Sequence, residues 1–581
     1  MSDRKLSDWL PTSKHEAEAR GWTELDVILF SGDAYVDHPA FGAAVIGRVL
    51  EADGLRVAIV PQPNWRDDLR DFKKLGVPRL FFGISGGCMD SMVNHYTANN
   101  RLRSDDAYTA GNISGFRPDY AVSVYSQILK RLYPDVPVVI GGIEASLRRF
   151  THYDYWQDKL LPSILHSSKA DLLVYGMGEH IIRKIAQGLQ SGTTWQELHD
   201  MPQIVYLSDN LPKNSEHCAM LHSHESCVQD KRKFAENFCR IETESGKLQA
   251  VGCIEPVAGQ YVVANPPEYH LNEADVDMAF DLPYTRLPHP RYKNKHIPAF
   301  EMIKYSVNIH RGCFGGCSFC TISAHQGRFI ACRSEQSIVN EVKKIVQMPD
   351  FKGYLSDLGG PSANMYGMKG KEQALCSKCS RYSCIYPRIC KNLDSNHAPL
   401  LALYRKIRAM AGIKKVFIGS GVRYDLFLDE KGFLSKTHAE YFRELVEHHV
   451  SGRLKVAPEH TSPKVLKAMR KPSFDLFIRL KEAFDKTNNS LHLQQQLIPY
   501  FISSHPACED ADMRQLSDAM RQMRMNRLEQ VQDFTPTPLT LSSVMYYCGF
   551  DPYNGEKMYV ARQKEAKLKQ KEYFFKKNIS S

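Results

Sequence analysis

The chain has 581 residues, of which 43% are hydrophobic and 24% are charged, the composition of an ordinary globular protein with room for roughly three or four domains. The 75 basic and 65 acidic residues give a formal net charge of +10, which permits a polyanionic partner such as RNA without requiring one. No segment approaches the roughly 18 continuous apolar residues of a membrane helix, and residues 1–20 lack the apolar stretch of a signal peptide, so we expect a cytoplasmic protein that does not enter a membrane.

The N-terminal third of the chain alternates short apolar segments with amphipathic ones. The predicted strands are Asp26–Phe30, Val57–Val60, Arg79–Gly83, Val138–Ile140 and Leu172–Tyr175. Strands that alternate with helices predict an α/β domain with a doubly wound parallel sheet, in which ligands bind at the carboxyl ends of the strands. Two glycine-containing loops follow such ends, at 141–145 and 176–179.

These two loops and their order resemble the cobalamin-binding-like domain that precedes many radical S-adenosylmethionine (SAM) catalytic domains. In that family, the histidine of an Asp-x-His-x-x-Gly signature ligates cobalt. Here the segment Ser31–His38 has the residue types at a different spacing. We therefore favour a vestigial or repurposed domain, with cobalamin binding as the alternative.

The next hundred residues are less regular and predict an inserted element followed by a linker. Leu248–Val251 and Gln260–Ala264 resemble strands, and four prolines between 283 and 298 indicate an extended segment. The predicted domains are 1–190, 191–295, a core at 296–535 with a cysteine-rich insertion at 370–392, and a C-terminal extension with a basic tail at 536–581.

Three cysteines, Cys313, Cys317 and Cys320, stand close together after a strand-like segment. Thiolates are the ligands that iron-sulfur clusters select, and an ordinary 4Fe-4S cluster uses four of them. A loop that supplies three leaves one iron open for an outside ligand, just as catalytic zinc sites keep an open position. Zinc prefers Cys-x2-Cys pairs with a fourth ligand at recognisable spacing, which this loop lacks, and a reducing compartment disfavours disulfides.

Strands and helices alternate again after the cysteines. The predicted strands of this region are Val307–Ile309, Tyr354–Leu358, Lys415–Ile418, Leu454–Ala457 and Leu497–Ser503. Glycine or polar residues follow several of these strands. Because a (β/α) barrel places its active site at the carboxyl ends of its strands, we predict a partial (β/α) barrel with the site at that rim.

The cysteine spacing, with Phe319 before the last cysteine, resembles the radical SAM superfamily. The resemblance implies a 4Fe-4S cluster, an exchangeable SAM and a partial barrel of radical SAM type. It also implies that Phe319 lies against adenine and that a Gly-Gly segment meets the methionine amino group, although Pro361 replaces the usual acidic third residue. The implied cofactor-binding positions are Phe319, Gly359, Gly360, Ser420, Gly421 and Glu459.

Gly327–Arg328, Arg333–Ser334 and the segment 463–469 further resemble the methylthiotransferase branch of that superfamily. Together with the N-terminal domain and the segment Gly549–Tyr553, they make nearly the whole chain similar to the YgiQ-type radical SAM proteins. The resemblance implies reductive cleavage of SAM to a 5′-deoxyadenosyl radical, with electrons from an external flavodoxin- or ferredoxin-like donor. It implies no defined substrate.

A second cysteine group lies in the insertion, at Cys376, Cys379, Cys384 and Cys390. Four thiolates could close an auxiliary iron-sulfur cluster or a structural zinc site, neither with an open position. Two other functions also stay open for the chain as a whole. One is RNA methylthiolation, and the other is a non-catalytic iron-sulfur or zinc protein that binds nucleic acid through the basic tail at 557–577.

Overall fold

A nine-stranded sheet spans residues 27–264 of the computed structural model. The structure describes residues 4–213, 215–268, 272–525 and 531–575. Five parallel strands form one side of the sheet, in the spatial order Val57–Pro61, Val27–Ser31, Phe81–Ser85, Val138–Gly141 and Leu172–Val174. Numbered along the chain, this is the 2-1-3-4-5 order of a flavodoxin-like fold. The predicted doubly wound parallel sheet is therefore confirmed.

Helices cover both faces of this sheet. Side chains alternate along the first strand, so that Ile28 and Phe30 enter one core with Tyr125, whereas Val27 and Leu29 enter another. Burial on both sides explains why these strands are apolar without interruption. The helices up to residue 303 are Lys14–Glu18, Gly42–Ala52, Arg70–Lys73, Ser91–His95, Ala121–Leu132, Gly142–Leu147, Ile164–Ser168, Glu179–Gln190, His224–Gln229, Lys231–Glu244, Glu273–Phe280 and Pro298–Ile303.

The segment predicted as an inserted element supplies the other four strands of the sheet. They are Ile204–Ser208, Gln260–Ala264, Cys253–Val257 and Ala219–Met220, the first of which is antiparallel to Leu172–Val174. The strand predicted at Leu248–Val251 is wrong, because the chain there is still turning out of the helix Lys231–Glu244. The domain boundary at residue 190 stays a prediction.

Parallel strands recur between residues 306 and 533 and form the partial barrel. In chain order they are Ser306–Asn308, Tyr354–Leu355 continued by Asp357–Gly359, Lys415–Val416, Arg453–Glu459, Gln496–Ser503 and Val531–Asp533. The first strand pairs in parallel with the second, the second with the third, the fourth with the fifth and the fifth with the sixth. Just after the third strand, Ile418 N donates over 3.0 Å to the carbonyl of His449, at the end of the helical segment before the fourth strand. The main helices are Glu335–Val346, Ala398–Arg408, Lys436–Glu444 continued by Leu445–His449, Pro463–Met469, Phe474–Ser490 and Asp510–Gln522.

The C-terminal extension joins both halves of the chain. Its helices are Leu541–Cys548 and Lys564–Phe575. Lys567 is 2% exposed and donates to the Tyr155 hydroxyl over 2.5 Å, so at least one lysine of the predicted basic tail is buried. Residues 576–581 of that tail lie outside the described residues. Within the described part of the chain, no helix is both long and apolar enough to cross a bilayer.

Candidate functional site

The loop with the three cysteines is wrapped closely by other segments, and two of its glycines make this contact feasible. Gly312 has a φ of +84°, and a Cβ there would lie 2.1 Å from Phe329 O. Gly316 has a φ of +63°, and a Cβ there would lie 2.4 Å from Tyr382 O. Any side chain at either position would collide with backbone, so the loop shape depends on glycine.

The three thiols differ in their surroundings. Burial raises the pKa of Cys313, whose Sγ lies 3.6 Å from Ser362 Oγ. Cys317 Sγ accepts a hydrogen bond of 3.1 Å from Arg423 Nη1. Burial, together with the charges of the other two thiols, raises the pKa of Cys320 to about 12. Buried thiols with raised pKa values, such as those of Cys313 and Cys320, form thiolates readily only beside positive charge, which a bound metal and Arg423 would both supply.

Hydrogen bonds hold both the guanidinium and the backbone of Arg423, although no sequence motif predicted a role for this residue. Its Nε and Nη2 donate to the Asp425 carboxylate over 2.9 and 2.5 Å. Its backbone N donates to Asn364 Oδ1, and Asn364 Nδ2 donates back to its carbonyl. Burial alone would raise the pKa of Asp425, but the guanidinium holds it below its ordinary value. The only sequence signal for Arg423 was its position just after the predicted rim segment at 420–421.

Asp357 links the ends of the second and third barrel strands through hydrogen bonds, and no sequence pattern predicted this role. Its carboxylate accepts the hydroxyl of Ser420 and the backbone N–H groups of Gly419 and Ser420, the last two over 2.9 and 3.2 Å. A Cβ at Gly359 would lie 2.9 Å from Ser420 Oγ. The structure thus brings the predicted positions Gly359 and Ser420 into contact, and burial raises the pKa of Asp357.

Glu459, the predicted position on the fourth strand, has a buried basic partner. The residue takes a φ of +68°, and its carboxylate lies 3.7 Å from Lys471 Nζ. Burial raises the pKa of Glu459, and Lys471 and Arg423 oppose that effect. Gly360 packs against the ring of His310, where a Cβ would lie 2.5 Å from Cε1. Gly421, by contrast, has no atom within 4 Å of its Cβ position.

The segment between the second and third cysteines is held by residues far along the chain. Ser318 N donates to Met469 O over 3.1 Å, and Ser542 N donates to Ser318 O over 2.9 Å. The half-buried ring of Phe319 meets His505 edge to face, with 6.2 Å between ring centroids. The C-terminal extension therefore helps to shape the loop.

The cysteine-rich insertion packs directly on this loop. Cys384 N donates to Phe314 O over 3.2 Å. Ser383 Oγ lies within hydrogen-bond distance of Phe314 O and Gly315 O, at 3.2 and 2.8 Å. The two predicted cysteine groups are thus in neighbouring segments that share hydrogen bonds.

Within the insertion, the four thiols are close enough to influence one another. Burial and the charges of the other three cysteines raise the pKa of Cys384 to about 11. Asn392 Nδ2 donates to Cys376 Sγ over 3.3 Å. A Cβ at Gly370 would lie 2.2 Å from the same sulfur, so glycine is needed there for the thiol to approach the backbone.

The donors present suit thiolate-bound metal. All fifteen cysteines are free thiols, and soft thiolates select iron-sulfur clusters or zinc. Among the described residues, no three His, Cys, Asp or Glu side chains surround a position for a single ion. The three cysteines of the 313–320 loop would each bind a different iron of a 4Fe-4S cluster. Its glycine-shaped backbone and the Arg423 donor fit such a cluster.

Two adjoining cavities lie between this loop and the N-terminal sheet. One, of about 510 Å³, is lined by Cys317, Cys320 and Tyr382. The other, of about 950 Å³, is lined by Gly176 and Glu179 from the predicted strand-end loop. Both cavities include Arg149, Ser245, Ser323 and Ala324. The carboxyl edge of the sheet therefore faces the cysteine loop.

An ion pair bridges the same two regions. Arg311, the residue before Gly312, contacts Glu179, and the two side chains are 16% and 11% exposed. A third cavity of about 770 Å³ lies at the strand ends and is lined by the predicted 141–142 glycines. His38 lies outside its lining and accepts a hydrogen bond from Ala40 N over 3.0 Å. The segment Ser31–His38 thus brings no histidine to this cavity, and the histidine that lines it is His325, from the segment after the cysteine loop.

Comparisons with known proteins cover the whole chain. A family model described as Radical SAM N-terminal matches residues 9–306, and one described as a domain of unknown function (DUF3362) matches residues 529–577. The UPF0313 protein of Bacteroides thetaiotaomicron is 59% identical over 99% of this chain and 95% of that protein. The UPF0313 protein of Methanosarcina acetivorans is 44% identical over 98% of this chain and 79% of that protein.

The UPF0313 protein YgiQ of Escherichia coli strain K12 is 43% identical over 95% of this chain and 82% of that protein. Among solved structures, the chain is similar to the radical SAM methyltransferase TsrM from Kitasatospora setae, solved with cobalamin and a 4Fe-4S cluster bound. The TM-score is 0.49 at 12% identity. That similarity covers 93% of this chain and 87% of the TsrM chain.

Proposed function

The chain belongs to the UPF0313 family of radical SAM enzymes, and from this premise we propose that Cys313, Cys317 and Cys320 bind a 4Fe-4S cluster whose open iron takes SAM. The supporting observation is one glycine-shaped loop at the end of the first barrel strand, with the Arg423 guanidinium on one of its sulfurs. With SAM bound, the cluster supplies one-electron cleavage of SAM to methionine and a 5′-deoxyadenosyl radical, which acts on an unidentified substrate.

The chain's own residues would bind and orient SAM. We propose that Phe319, Gly359, Gly360, Ser420 and Gly421 line its position, since the strand-end glycines bring no side chain into it. Glu459 and Lys471 place a buried carboxylate and a buried ammonium 3.7 Å apart. Opposite charges so arranged suit the zwitterionic methionine end of SAM, whose ammonium and carboxylate each need a partner away from water.

We also propose that Cys376, Cys379, Cys384 and Cys390 bind a second metal centre. The other three thiols contribute to the raised pKa of Cys384, and all four lie in the insertion that contacts the first loop. By donor type, four thiolates suit an auxiliary iron-sulfur cluster or a structural zinc, although a single zinc would require the four sulfurs to move closer together than in the described structure. Metal analysis of a variant that lacks the first three cysteines decides between iron and zinc.

The remaining partners follow from the reaction class. We propose an external flavodoxin- or ferredoxin-like electron donor and a cytoplasmic location, because fifteen free thiols suit a reducing compartment. RNA is the alternative substrate class, and the +10 charge of the chain is compatible with it. A vestigial or repurposed N-terminal domain stays our preferred interpretation, with cobalamin binding as the alternative, since Ser31–His38 brings no histidine to the strand-end cavity whereas His325 lines it.

The decisive experiment is anaerobic reconstitution with iron and sulfide, followed by dithionite reduction in the presence of SAM. We expect 5′-deoxyadenosine from the native protein and none from a Cys313→Ala, Cys317→Ala, Cys320→Ala variant. Tight RNA binding without any 5′-deoxyadenosine would support a non-catalytic nucleic-acid-binding protein instead. For RNA methylthiolation, the test is whether one modified nucleoside disappears when the gene is deleted.

A further inference from the structure

The cysteine-rich insertion carries a large share of the chain's positive charge. Between residues 369 and 391 there are six cations and one acid, a net charge of six minus one, or +5, when the whole chain has +10. A divalent ion held by four thiolates would contribute about −2, so a metal-bound insertion would still be cationic. The cations are Lys369, Lys371, Lys378, Arg381, Arg388 and Lys391, and the acid is Glu372.

Five of these cations are available to a partner. Arg381 donates to the backbone carbonyls of Tyr386 and Arg388 over 3.1 and 2.8 Å. The other five side chains are exposed, and none has a carboxylate of another described residue within ion-pair distance. Leu375, in the middle of the segment, is 54% exposed. The insertion thus exposes five cations and one large apolar side chain within a single short segment, and these exposed cations are called the cationic patch below.

The inner side of the same insertion contacts the cysteine loop. Ser383 bonds the backbone of Phe314 and Gly315, and Tyr382 lines the cavity that contains Cys317. The insertion that carries the exposed cations and the four cysteines is therefore in direct contact with the loop proposed to hold the cluster. A redox partner that binds the patch would be close to the centre that it must reduce.

This inference rests on the proposed function, which requires one external electron for each SAM. We propose that Lys378, Arg388 and Lys391 form the docking surface for a small acidic one-electron carrier of the flavodoxin class. In the transfer, the anionic flavin hydroquinone would lose one electron and no proton, becoming the neutral semiquinone, and a cluster bound by the 313–320 loop would accept that electron. Opposite charges would steer the encounter and set its orientation. RNA would also be attracted, but the thiols and the adjoining cluster loop favour a redox protein.

The test reverses the charge of the patch with Lys378→Glu, Arg388→Glu and Lys391→Glu. A matched control reverses three exposed lysines on barrel helices with Lys343→Glu, Lys344→Glu and Lys436→Glu. Purified flavodoxin is titrated into each metal-loaded protein by calorimetry at about 50 and 300 mM salt, and flavin hydroquinone oxidation is followed by stopped flow. We expect the patch variant to bind flavodoxin at least about tenfold more weakly and to lose salt dependence. The control should stay within about twofold of the native protein.

Dithionite-driven SAM cleavage separates this inference from the proposed function, since dithionite needs no docking surface. Unchanged dithionite-driven cleavage with slowed flavodoxin oxidation in the patch variant would support the inference. Equal flavodoxin affinity and oxidation rate in the patch variant and the native protein would overturn it. Weakened binding of transfer RNA with unchanged flavodoxin oxidation would also overturn it, in favour of an RNA surface. If dithionite gives no 5′-deoxyadenosine with the native protein, the proposed function fails, and calorimetry still decides the docking surface.

Discussion

Arg423 donates a hydrogen bond to Cys317 Sγ over 3.1 Å while two of its other N–H groups hold Asp425. The charged donor beside the cysteine loop is thus oriented by a carboxylate that is itself buried. Arginine suits this position because its planar fork can serve two partners at once and stays protonated. The consequence is a charged donor already directed at one sulfur of the loop before any metal binds.

Replacing Arg423 should therefore weaken the proposed cluster. We expect Arg423→Gln to lower metal affinity by about tenfold to a hundredfold, the usual effect of removing a partner of a metal ligand. Iron content after treatment with a chelator measures this, and a redox titration should show a shifted potential. Arg423→Lys keeps the positive charge but loses the planar guanidinium, so its metal affinity should lie between those of the native protein and Arg423→Gln. Equal iron retention and potential in all three proteins would refute the role.

Gly316 offers a test of how the insertion and the cysteine loop fit together. In Gly316→Ala the new methyl group would stand 2.4 Å from Tyr382 O, so the insertion must move away. We expect less iron per chain after reconstitution and a lower melting temperature. Gly421→Ala is the matched control, because nothing lies within 4 Å of its Cβ position. Similar losses in both variants would show that the close contact is unimportant.

Asp357 should matter for SAM binding although it was not among the predicted positions. Asp357→Ala removes the acceptor that holds the N–H groups of Gly419 and Ser420 and the Ser420 hydroxyl beside Gly359, so the two strand ends lose their fixed relative position. We expect SAM to bind about tenfold more weakly, as measured by equilibrium dialysis on the reconstituted protein. Ser420→Ala removes one of the three donors and should have a smaller effect. An unchanged Kd for SAM in Asp357→Ala would exclude this role.

The buried carboxyl group of Glu255, which is remote from the cysteine loop, should make the stability of the folded chain depend on pH. Burial raises its pKa from 4.5 to about 8, although Thr151 N donates to the carboxylate over 2.8 Å. Between these values the folded chain binds the proton more tightly than the unfolded chain, so stability is lost as pH rises through about 8. Glu255→Gln should match the native protein below pH 4.5 and be more stable by on the order of 2–4 kcal/mol at pH 9. Melting curves across this range check it, and a constant difference between the proteins would count against the shift.

The strand pattern of both halves was predictable because it is a local property. A buried parallel strand is a short apolar run, and Val57–Pro61 or Gln496–Ser503 could be recognised within a residue or two. The edge strands between 204 and 264 were harder, because that segment lacks the strand-helix rhythm. Only the neighbouring strand Leu172–Val174 explains why Ile204–Ser208 joins the first sheet.

The candidate site was predictable only where its residues are adjacent in sequence. The three cysteines share one loop, so their spacing carries the signal. Arg423 and Cys317 are 106 positions apart, and Asp357 and Ser420 are 63 apart. Gly246 leaves space for the guanidinium of Arg328, and no local pattern relates the two. Such pairs are determined by how the strands return to one rim, which residue spacing does not encode.

The contact between Glu179 and Arg311 has a mechanical consequence. Pulling the N-terminal sheet away from the barrel would break this charge-assisted contact between two side chains that are 16% and 11% exposed, in addition to the contacts of the C-terminal extension with both halves. The two halves should therefore stay joined through each catalytic cycle. A molecule that reaches the cysteine loop from this side must enter between the two joined halves, so the residues that line this opening limit what the enzyme can act on.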